Sequence, residues 1–289
     1  MDNTISMMQK PLRYTLHSIG YDLVESLFPQ KRSCKFCGRF WLGSKLRADL
    51  CGLCLEQWRQ MRQAARICTI CGSFNSGDPC QGPCAEIRGT KTRHSGSVSS
   101  IIAAAPYLGI YRQRMIAFKY NGQQKLAASM AHLMAEAWRE NQERLGNEQL
   151  YEPAVTTKRI KPRLVPVPMH RDKEATRGYN QSRLLARAIS RETGYPVEEL
   201  LSRRIQGSVQ AELNRDQRMR ALDHVYEWAA YGEAKPGPAI IVDDVVTTGA
   251  TMEACGRILK ERGYGPIWGL SFAGGSSQNV KNTGEKDHA

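Results

Sequence analysis

Residues 239–251, with the sequence AIIVDDVVTTGAT, constrain the fold of this chain more than any other segment. The apolar residues 239–242 predict a buried strand that ends in the acidic pair Asp243 and Asp244. A short turn follows, and a helical pattern then runs through Leu259 until Gly263 ends it. A buried strand that leads through a turn into a helix is a building unit of α/β domains.

The polar residues of this segment suit a ribose phosphate. Two adjacent carboxylates at the carboxyl end of a strand cost free energy unless a ligand uses them, and the two hydroxyls of a ribose can donate hydrogen bonds to them. Hydroxyl and backbone N–H groups of the turn can surround a phosphate at the positive end of the following helix, where Gly249 permits a close approach. The alternative is an ordinary strand–turn–helix with a threonine-rich cap, but the carboxylate pair and the phosphate-binding turn coincide in one segment. The predicted ligand contacts are Asp243, Asp244, Thr247, Thr248, Gly249, Ala250 and Thr251.

The surrounding sequence predicts an α/β domain with a mainly parallel sheet flanked by helices. Short apolar runs alternate with helical patterns throughout this region, which is typical of such sheets. Strands are predicted at 101–109, 164–168, 224–229, 239–242 and 267–272, and helices at 123–139 and 180–191.

Eight of the nine cysteines lie within residues 31–88, and most of them form pairs separated by two residues. Such a pair lets two thiolates reach one ion from a tight turn, and four thiolates with no open position favour a structural zinc ion. Sequential pairing gives two consecutive zinc ribbons, whereas a cross-braced pairing joins residues 34 and 37 to residues 68 and 71. Reduced thiols without metal are the remaining alternative. The predicted ligands for one or two Zn²⁺ ions are Cys34, Cys37, Cys51 and Cys54, and Cys68, Cys71, Cys80 and Cys84.

The net charge of +13 is concentrated towards the N-terminus, because residues 1–95 contain 14 basic and 7 acidic side chains. A basic excess is typical of proteins that bind nucleic acids or phosphorylated ligands, and equally of a basic solvated surface. Cations and aromatic rings are interleaved near the first cysteine pairs, which suits stacking on single-stranded DNA, although a mixture of core and surface residues gives the same pattern. These residues are Phe36, Arg39, Phe40, Trp41, Lys45 and Arg47.

The sequence predicts a cytoplasmic protein. No segment has the roughly 18 continuous apolar residues of a membrane span, and the first residues lack the apolar stretch of a signal peptide. In the cytoplasm the cysteines stay reduced, which favours metal over disulfides. The predicted division of the chain is a helical lead at 1–30, the double zinc ribbon and linker at 31–95, the α/β domain at 96–275 and a disordered polar tail at 276–289.

The segment 239–251 matches the signature of type I phosphoribosyltransferases, namely an apolar strand, two acids and TTGAT. Three further segments resemble the ComF/GntX-like group within that class: LVPVP followed by RGYNQSRLLARAI at 177–189, YRQRMIAFKY at 111–120, and the pattern Gln210, Leu213 and Arg218. An N-terminal double zinc ribbon is also similar to that group. The chain departs from the pattern in a long charged stretch at 140–163 and in Arg220, which stands where an asparagine is expected.

The resemblance implies phosphoribosyl pyrophosphate as the donor, together with Mg²⁺. Asp243 and Asp244 would hold the ribose, residues 247–251 the 5′-phosphate, and the loop after residue 168 would face the pyrophosphate. The cations proposed in this loop are Arg171, Lys173 and Arg177, and Lys119 is a further candidate from outside it; each of them also suits a solvated surface. The catalytic candidates are Asp243, Asp244, Arg171 and Arg177. His170 is interpreted as a hydrogen-bonding residue rather than a base. The acceptor is not indicated, so catalytic turnover is left open.

The resemblance also implies a role in DNA uptake during natural competence, beside a ComFA-like helicase and with single-stranded DNA as a candidate partner. Two alternatives remain. One is a non-catalytic accessory protein that binds nucleotide or DNA, and the other is a GntX-like phosphoribosyltransferase unrelated to competence. The sequence leaves homo-oligomer formation open.

Overall fold

The computed structural model describes residues 32–41, 48–75, 96–144, 160–204, 225–229 and 235–275. The predicted lead at 1–30, the predicted tail at 276–289, Cys80, Cys84 and the pattern at residues 210–218 lie outside the described residues. In chain order the strands are β1 (Arg32–Ser33), β2 (Phe40–Trp41), β3 (Arg66–Ile67), β4 (Phe74–Asn75), β5 (Ser100–Pro106), β6 (Arg163–Pro166), β7 (Leu201–Arg203), β8 (Tyr226–Trp228), β9 (Ala239–Val246) and β10 (Ile267–Gly274). The helices are α1 (Gly52–Ala64), α2 (Gly109–Tyr120), α3 (Leu126–Arg144), α4 (Arg171–Arg177), α5 (Gln181–Thr193) and α6 (Ala250–Glu261).

Four parallel strands form the central sheet in the order β5-β10-β9-β6. The predicted α/β class with a parallel sheet is therefore confirmed. β9 lies inside the sheet, and its first four residues are fully buried, as expected for a parallel strand covered on both faces. The predicted strand at 224–229 forms β8, but it pairs antiparallel with β7 in a separate ribbon rather than joining the central sheet.

The two faces of the sheet pack against different layers. Ile240 and Val242 belong to a core that includes residues of α1, α2, α3 and α5. Ala239 and Ile241 belong to a second core with residues of α6 and the β7–β8 ribbon. This alternation follows from the two-residue period of a strand, and it means that consecutive side chains of β9 serve opposite layers.

The first cysteine-containing segment packs directly against the sheet. Phe36 is 2% exposed and makes edge-to-face contacts with Tyr111 at 6.1 Å and with Phe272 at 6.2 Å between ring centroids. The prediction that Phe36 is available for stacking on nucleic acid is therefore wrong, because this ring is used in the core. The indole Nε1 of Trp58 donates to the Ala104 carbonyl at 2.9 Å. Cys34 and Cys51 thus share one core with the sheet residues Ile240 and Val242.

Arg62 of α1 anchors this contact. It is buried, it donates to the carbonyls of Ala103 at 2.8 Å and Ala104 at 3.0 Å, and it forms an ion pair with Glu140 at 2.7 Å. Truncation to Ala removes these hydrogen bonds and leaves Glu140 without this ion pair, so we expect Arg62→Ala to lower the free energy of unfolding by about 2–4 kcal/mol in urea titrations. Arg59→Ala, an exposed position on the same helix, is the control and should change it by less than about 0.5 kcal/mol. Equal losses in both variants would contradict this role.

Candidate functional site

Asp243 and Asp244 lie near the carboxyl end of β9, at the edge of the sheet where α/β folds bind ligands. The strand does not end at the acids as predicted, because pairing with β10 continues to Val246 opposite Gly274. The two carboxylates have different partners, Ser182 on α5 and Lys119 on α2, and both helices belong to the layer that packs against Ile240 and Val242.

Asp243 is held by two hydrogen-bond donors. The Ser182 hydroxyl donates to its Oδ1 at 2.9 Å, and the backbone N–H of Asp244 donates to the same oxygen at 2.9 Å. Burial, together with the negative charge of Asp244, nevertheless raises the pKa of Asp243 to about 7. Ser182 was not singled out from the sequence, and the available signal was its place next to RGYNQ at the start of α5. Asp243 is thus a carboxyl group that titrates near neutral pH.

Asp244 forms an ion pair with Lys119, whose Nζ lies 2.9 Å from Oδ1. Both side chains are largely enclosed, with 12% of Asp244 and 20% of Lys119 exposed. Lys119 lies in the last turn of α2, so this helix delivers a cation to the acidic edge. The structure therefore brings the predicted cation Lys119 together with the predicted acidic pair.

The turn after β9 forms the N-terminus of α6. Gly249 is its N-cap with φ of 79°, a left-handed conformation that favours glycine, and no side chain caps this helix. Thr247 and Thr248 are exposed, Thr251 is half-buried, and the Thr248 hydroxyl accepts from the N–H of Ala250 at 3.4 Å. Backbone N–H groups at an uncapped helix start, beside exposed hydroxyls, suit an anion.

The other three predicted cations lie on or at the ends of α4. Arg171 and Lys173 are exposed to solvent. Arg177 is half-buried, and its guanidinium carbon lies 5.0 Å from the centroid of the Tyr120 ring. Arg177 therefore contacts Tyr120, the residue that follows Lys119 in the sequence. His170 caps α4 by accepting from the N–H of Asp172 at 3.2 Å, in agreement with its interpretation as a hydrogen-bonding residue.

The raised pKa of Asp243 predicts a pH dependence of stability. Between about pH 4 and pH 7 the unfolded chain has released this proton while the folded protein retains it, so the folded state loses stability as the pH rises through that window. Asp243→Asn removes the titration. We expect the free energy of unfolding of the variant, relative to the wild type, to increase by roughly 2–4 kcal/mol as the pH rises from 4 to 7. Above pH 7 this difference should stay constant in urea titrations at a series of pH values. A pH-independent difference would contradict the assignment.

Cys34, Cys37, Cys51 and Cys54 form a compact cluster. The Sγ atoms of Cys34 and Cys54 are 3.7 Å apart, as are those of Cys37 and Cys51, and all four lie within 4.8 Å of one another. Zinc–sulfur bonds of about 2.3 Å in a tetrahedron place the sulfurs about 3.8 Å apart, so these residues fit Zn²⁺. Sequential pairing is confirmed for this site over the cross-braced alternative.

The electrostatics of the cluster also favour a cation. Burial and the hydrogen bond with the Cys51 thiol raise the pKa of Cys54. Burial opposes ionisation of Cys34 as well, but the backbone N–H groups of Cys37, Cys51 and Phe36 lower its pKa to about 7. Four thiolates this close repel one another, and a bound divalent ion stabilises all of them. Within the described residues this is the one group of three or more His, Cys, Asp or Glu side chains positioned to hold a metal ion.

The second predicted metal site is described only in part. Cys68 and Cys71 are buried, and the Cys71 Sγ lies 2.7 Å from the Ser73 hydroxyl. This knuckle lies against the sheet, because the carbonyl of Thr69 accepts from Ile101 at 2.7 Å and Phe74 donates to the carbonyl of Gly275 at 2.8 Å. Its predicted partners Cys80 and Cys84 are outside the described residues, so a second Zn²⁺ stays a prediction.

The fold and the site define an α/β protein with a parallel sheet, an acidic pair and an uncapped helix start at the carboxyl edge, and a four-cysteine centre packed into the same core. No helix in the described ranges combines the length and hydropathy that crossing a membrane requires.

Three curated proteins are similar to the chain. Competence protein F of Haemophilus influenzae is 31% identical over 114 residues, which cover 38% of the chain and 50% of that protein. Competence protein ComFC of Bacillus subtilis is 30% identical over 100 residues, covering 35% of the chain and 39% of ComFC. The DNA utilization protein YhgH of Salmonella typhimurium is 25% identical over 219 residues, covering 75% of the chain and 87% of that protein. No protein-family model matches the chain.

The chain thus aligns with half or less of the length of the first two relatives. The resemblance to ComF-type competence proteins is confirmed by these three relatives. Among solved structures, the allosteric regulatory enzyme of purine biosynthesis superposes with a TM-score of 0.33 at 16% identity, over 54% of the chain and 30% of that enzyme. A hypoxanthine phosphoribosyl transferase of Trypanosoma cruzi gives 0.32 at 14% identity, over 52% of the chain and 66% of that protein. The α/β class rests on the chain's own sheet.

Proposed function

We propose that the carboxyl edge binds phosphoribosyl pyrophosphate. The observation that carries this proposal is the placement of Asp243, Asp244 and the uncapped start of α6 within one strand–turn–helix unit. The carboxylates accept hydrogen bonds from the ribose hydroxyls, and the hydroxyl and N–H groups of residues 247–251 bind the 5′-phosphate. Lys119, whose Nζ lies 2.9 Å from the Asp244 Oδ1, would supply positive charge to the pyrophosphate.

The reaction that this arrangement suits is transfer of the phosphoribosyl group to an amine. The bond between C1 of the ribose and the pyrophosphate oxygen breaks, pyrophosphate leaves with the bonding electrons, and the acceptor nitrogen attacks C1 and loses a proton. The protein needs no covalent nucleophile, because holding the ribose and neutralising the leaving group supply the catalysis. The acceptor is the open part of this proposal, and binding without turnover is its alternative.

Mg²⁺ would accompany the donor rather than occupy a protein cage. Of the two adjacent carboxylates on β9, that of Asp244 is already paired with Lys119. Hard cations are commonly held by substrate phosphates with one or two carboxylates. When bound, the ion neutralises charge on the pyrophosphate. Asp243 and Asp244 are the residues that would contact it or its waters.

We further propose that the protein acts in the cytoplasm in DNA uptake, as the names of the competence relatives suggest. The charge of the first 95 residues supports contact with single-stranded DNA. In the described part of that segment, Phe40 is 73% exposed beside the exposed Arg39. A ComFA-like helicase is the proposed protein partner. A transformation assay of Asp243→Asn in a competent host separates this role from the alternatives: loss of transformation supports donor binding in DNA uptake, and unchanged transformation favours an accessory or GntX-like role.

Two glycines at the ends of α6 provide a matched test of donor binding. Gly249 has φ of 79° at the proposed phosphate turn, and Gly263 has φ of 81° at the opposite end of the helix. A Cβ at either position is strained by about 1–2 kcal/mol, and the Cβ at Gly249 would also lie 2.7 Å from the Ile101 Cδ1 atom, so Gly249→Ala should lose more stability than Gly263→Ala. Only Gly249→Ala should weaken binding of phosphoribosyl pyrophosphate in calorimetric titrations, by roughly 10-fold or more, because relief of the contact with Ile101 shifts the turn that binds the phosphate. Equal binding by the two variants would overturn the proposed phosphate site.

A further inference from the structure

The rim of the proposed site carries an exposed aromatic ring. Tyr120 is the last residue of α2 and is 69% exposed, although it directly follows Lys119, the residue paired with Asp244. The residues that follow it, 121–125, are also exposed. A large ring left in solvent one residue away from a ligand edge is available for contact with that ligand.

One face of this ring is already covered by Arg177. Its guanidinium carbon lies 5.0 Å from the ring centroid, within the range of a cation–π contact. A planar guanidinium on one face holds the tyrosine ring in place, and the exposed fraction of Tyr120 leaves ring surface open. The pair is therefore a prearranged planar surface with a positive charge beside it, which suits the flat ring of a nucleobase next to a phosphate.

Tyr120 and Arg177 are held at the site by contacts of the residues next to them in the sequence. The Tyr179 hydroxyl donates to the carbonyl of Phe118, and their rings pack 5.9 Å apart, which joins the segment after Arg177 to the end of α2. The side-chain amide of Asn180 donates to the carbonyl of Val167 at 3.1 Å, which ties the same segment to the end of β6. The platform is thus built on the carboxyl edge rather than on a separate surface.

We infer that Tyr120 and Arg177 form a stacking platform for one nucleobase at the rim of the ribose-phosphate site. This inference rests on the proposed function, because it names the class of molecule that meets the donor: a planar heteroaromatic base. The base comes either from a free acceptor such as adenine or from a single strand of DNA passing the rim. Arg177, predicted from the sequence to face the pyrophosphate, supports the ring of Tyr120 in this arrangement.

The test uses the full-length, zinc-loaded protein and two probes. Adenine is measured by saturation-transfer NMR, and a labelled dT 12-mer by fluorescence anisotropy, beside an abasic 12-mer of equal charge. Tyr120→Ala should weaken binding of adenine, of the dT 12-mer or of both by roughly 5- to 100-fold. Tyr120→Phe keeps the ring and should bind like the wild type. The abasic strand should bind wild type and Tyr120→Ala equally.

The charge of the pair gives a second readout. Arg177→Ala should reduce the slope of log affinity against log salt for the dT 12-mer by about 1, whereas Tyr120→Ala should leave the slope unchanged. Arg262→Ala is the matched control, since Arg262 lies 5.2 Å over Trp228 at the far end of α6, and it should change neither quantity. If Tyr120→Ala loses affinity for adenine alone, the platform binds the base of a free acceptor. If the variant loses affinity for the dT 12-mer alone, the platform binds a base of single-stranded DNA.

Unchanged binding of both probes by Tyr120→Ala would overturn the platform. Titration of phosphoribosyl pyrophosphate into the same variant separates this failure from a failure of the proposed function. If the donor binds and the bases are unaffected, only the platform is wrong. If the donor does not bind the wild type either, the proposed donor site is wrong.

Discussion

Replacing Cys54 by serine should lower the melting temperature of the protein by about 10 °C and release its zinc. The sulfurs of Cys34 and Cys54 are 3.7 Å apart in the cluster. The buried cysteines of that cluster belong to the core that also contains Trp58 and Phe118. Loss of one ligand weakens metal binding and leaves the remaining thiols close together, at a cost of about 3–5 kcal/mol. For a domain of this size each kcal/mol corresponds to about 2–4 °C. Circular dichroism and zinc analysis by mass spectrometry measure the two effects.

Cys255 offers the matched control. It is fully buried in α6, outside the cluster, so Cys255→Ala should keep its zinc and lose only about 1 kcal/mol. A Cys54→Ser variant that melts like Cys255→Ala would show that the cluster does not support the common core.

Replacing Asp243 by asparagine should weaken the binding of phosphoribosyl pyrophosphate by about 100-fold at pH 8. An ionised carboxylate accepts charge-assisted hydrogen bonds from the ribose hydroxyls, which a neutral amide cannot reproduce. The pKa of about 7 adds a pH dependence: binding by the wild type should weaken as the pH falls through 7, because the carboxyl group is then protonated. Calorimetric titrations at pH 6 and pH 8 measure both effects.

Asp243→Asn should lose affinity for phosphoribosyl pyrophosphate without losing stability. The variant removes a half-buried carboxylate that is repelled by Asp244, so it should unfold at higher urea concentrations than the wild type at pH 8. Asp244→Asn breaks the ion pair with Lys119 and should be less stable, which distinguishes the two acids. Weak donor binding caused by misfolding of Asp243→Asn would contradict this account.

The local elements of the fold could be predicted because their signals are contiguous in the sequence. The run AIIV predicts a buried strand and forms the first half of β9, and TTGAT predicts the turn into α6. Asn180 and Gly194 mark the two ends of α5, where Asn180 accepts from the N–H of Arg183 and Gly194 has φ of 68°. Each of these signals acts within a few residues, so it can be recognised from the sequence alone.

Contacts between distant segments could not be predicted in the same way. Spacing alone left sequential and cross-braced cysteine pairing open, because a knuckle does not encode its partner. Phe36 resembles a stacking residue in sequence and is buried because α2 and β10 supply rings around it. The ion pair of Lys119 with Asp244 and the hydrogen bond of Ser182 to Asp243 depend on the order of strands and helices.

The ribose-phosphate site is tested most directly by titrating phosphoribosyl pyrophosphate into the wild-type, zinc-loaded protein in the presence of Mg²⁺. We expect one binding site per chain, with weaker binding of ribose 5-phosphate, which lacks the pyrophosphate, and no competition by inorganic sulfate at equal concentration. A folded, zinc-loaded protein that shows no binding of the donor at millimolar concentration would contradict it.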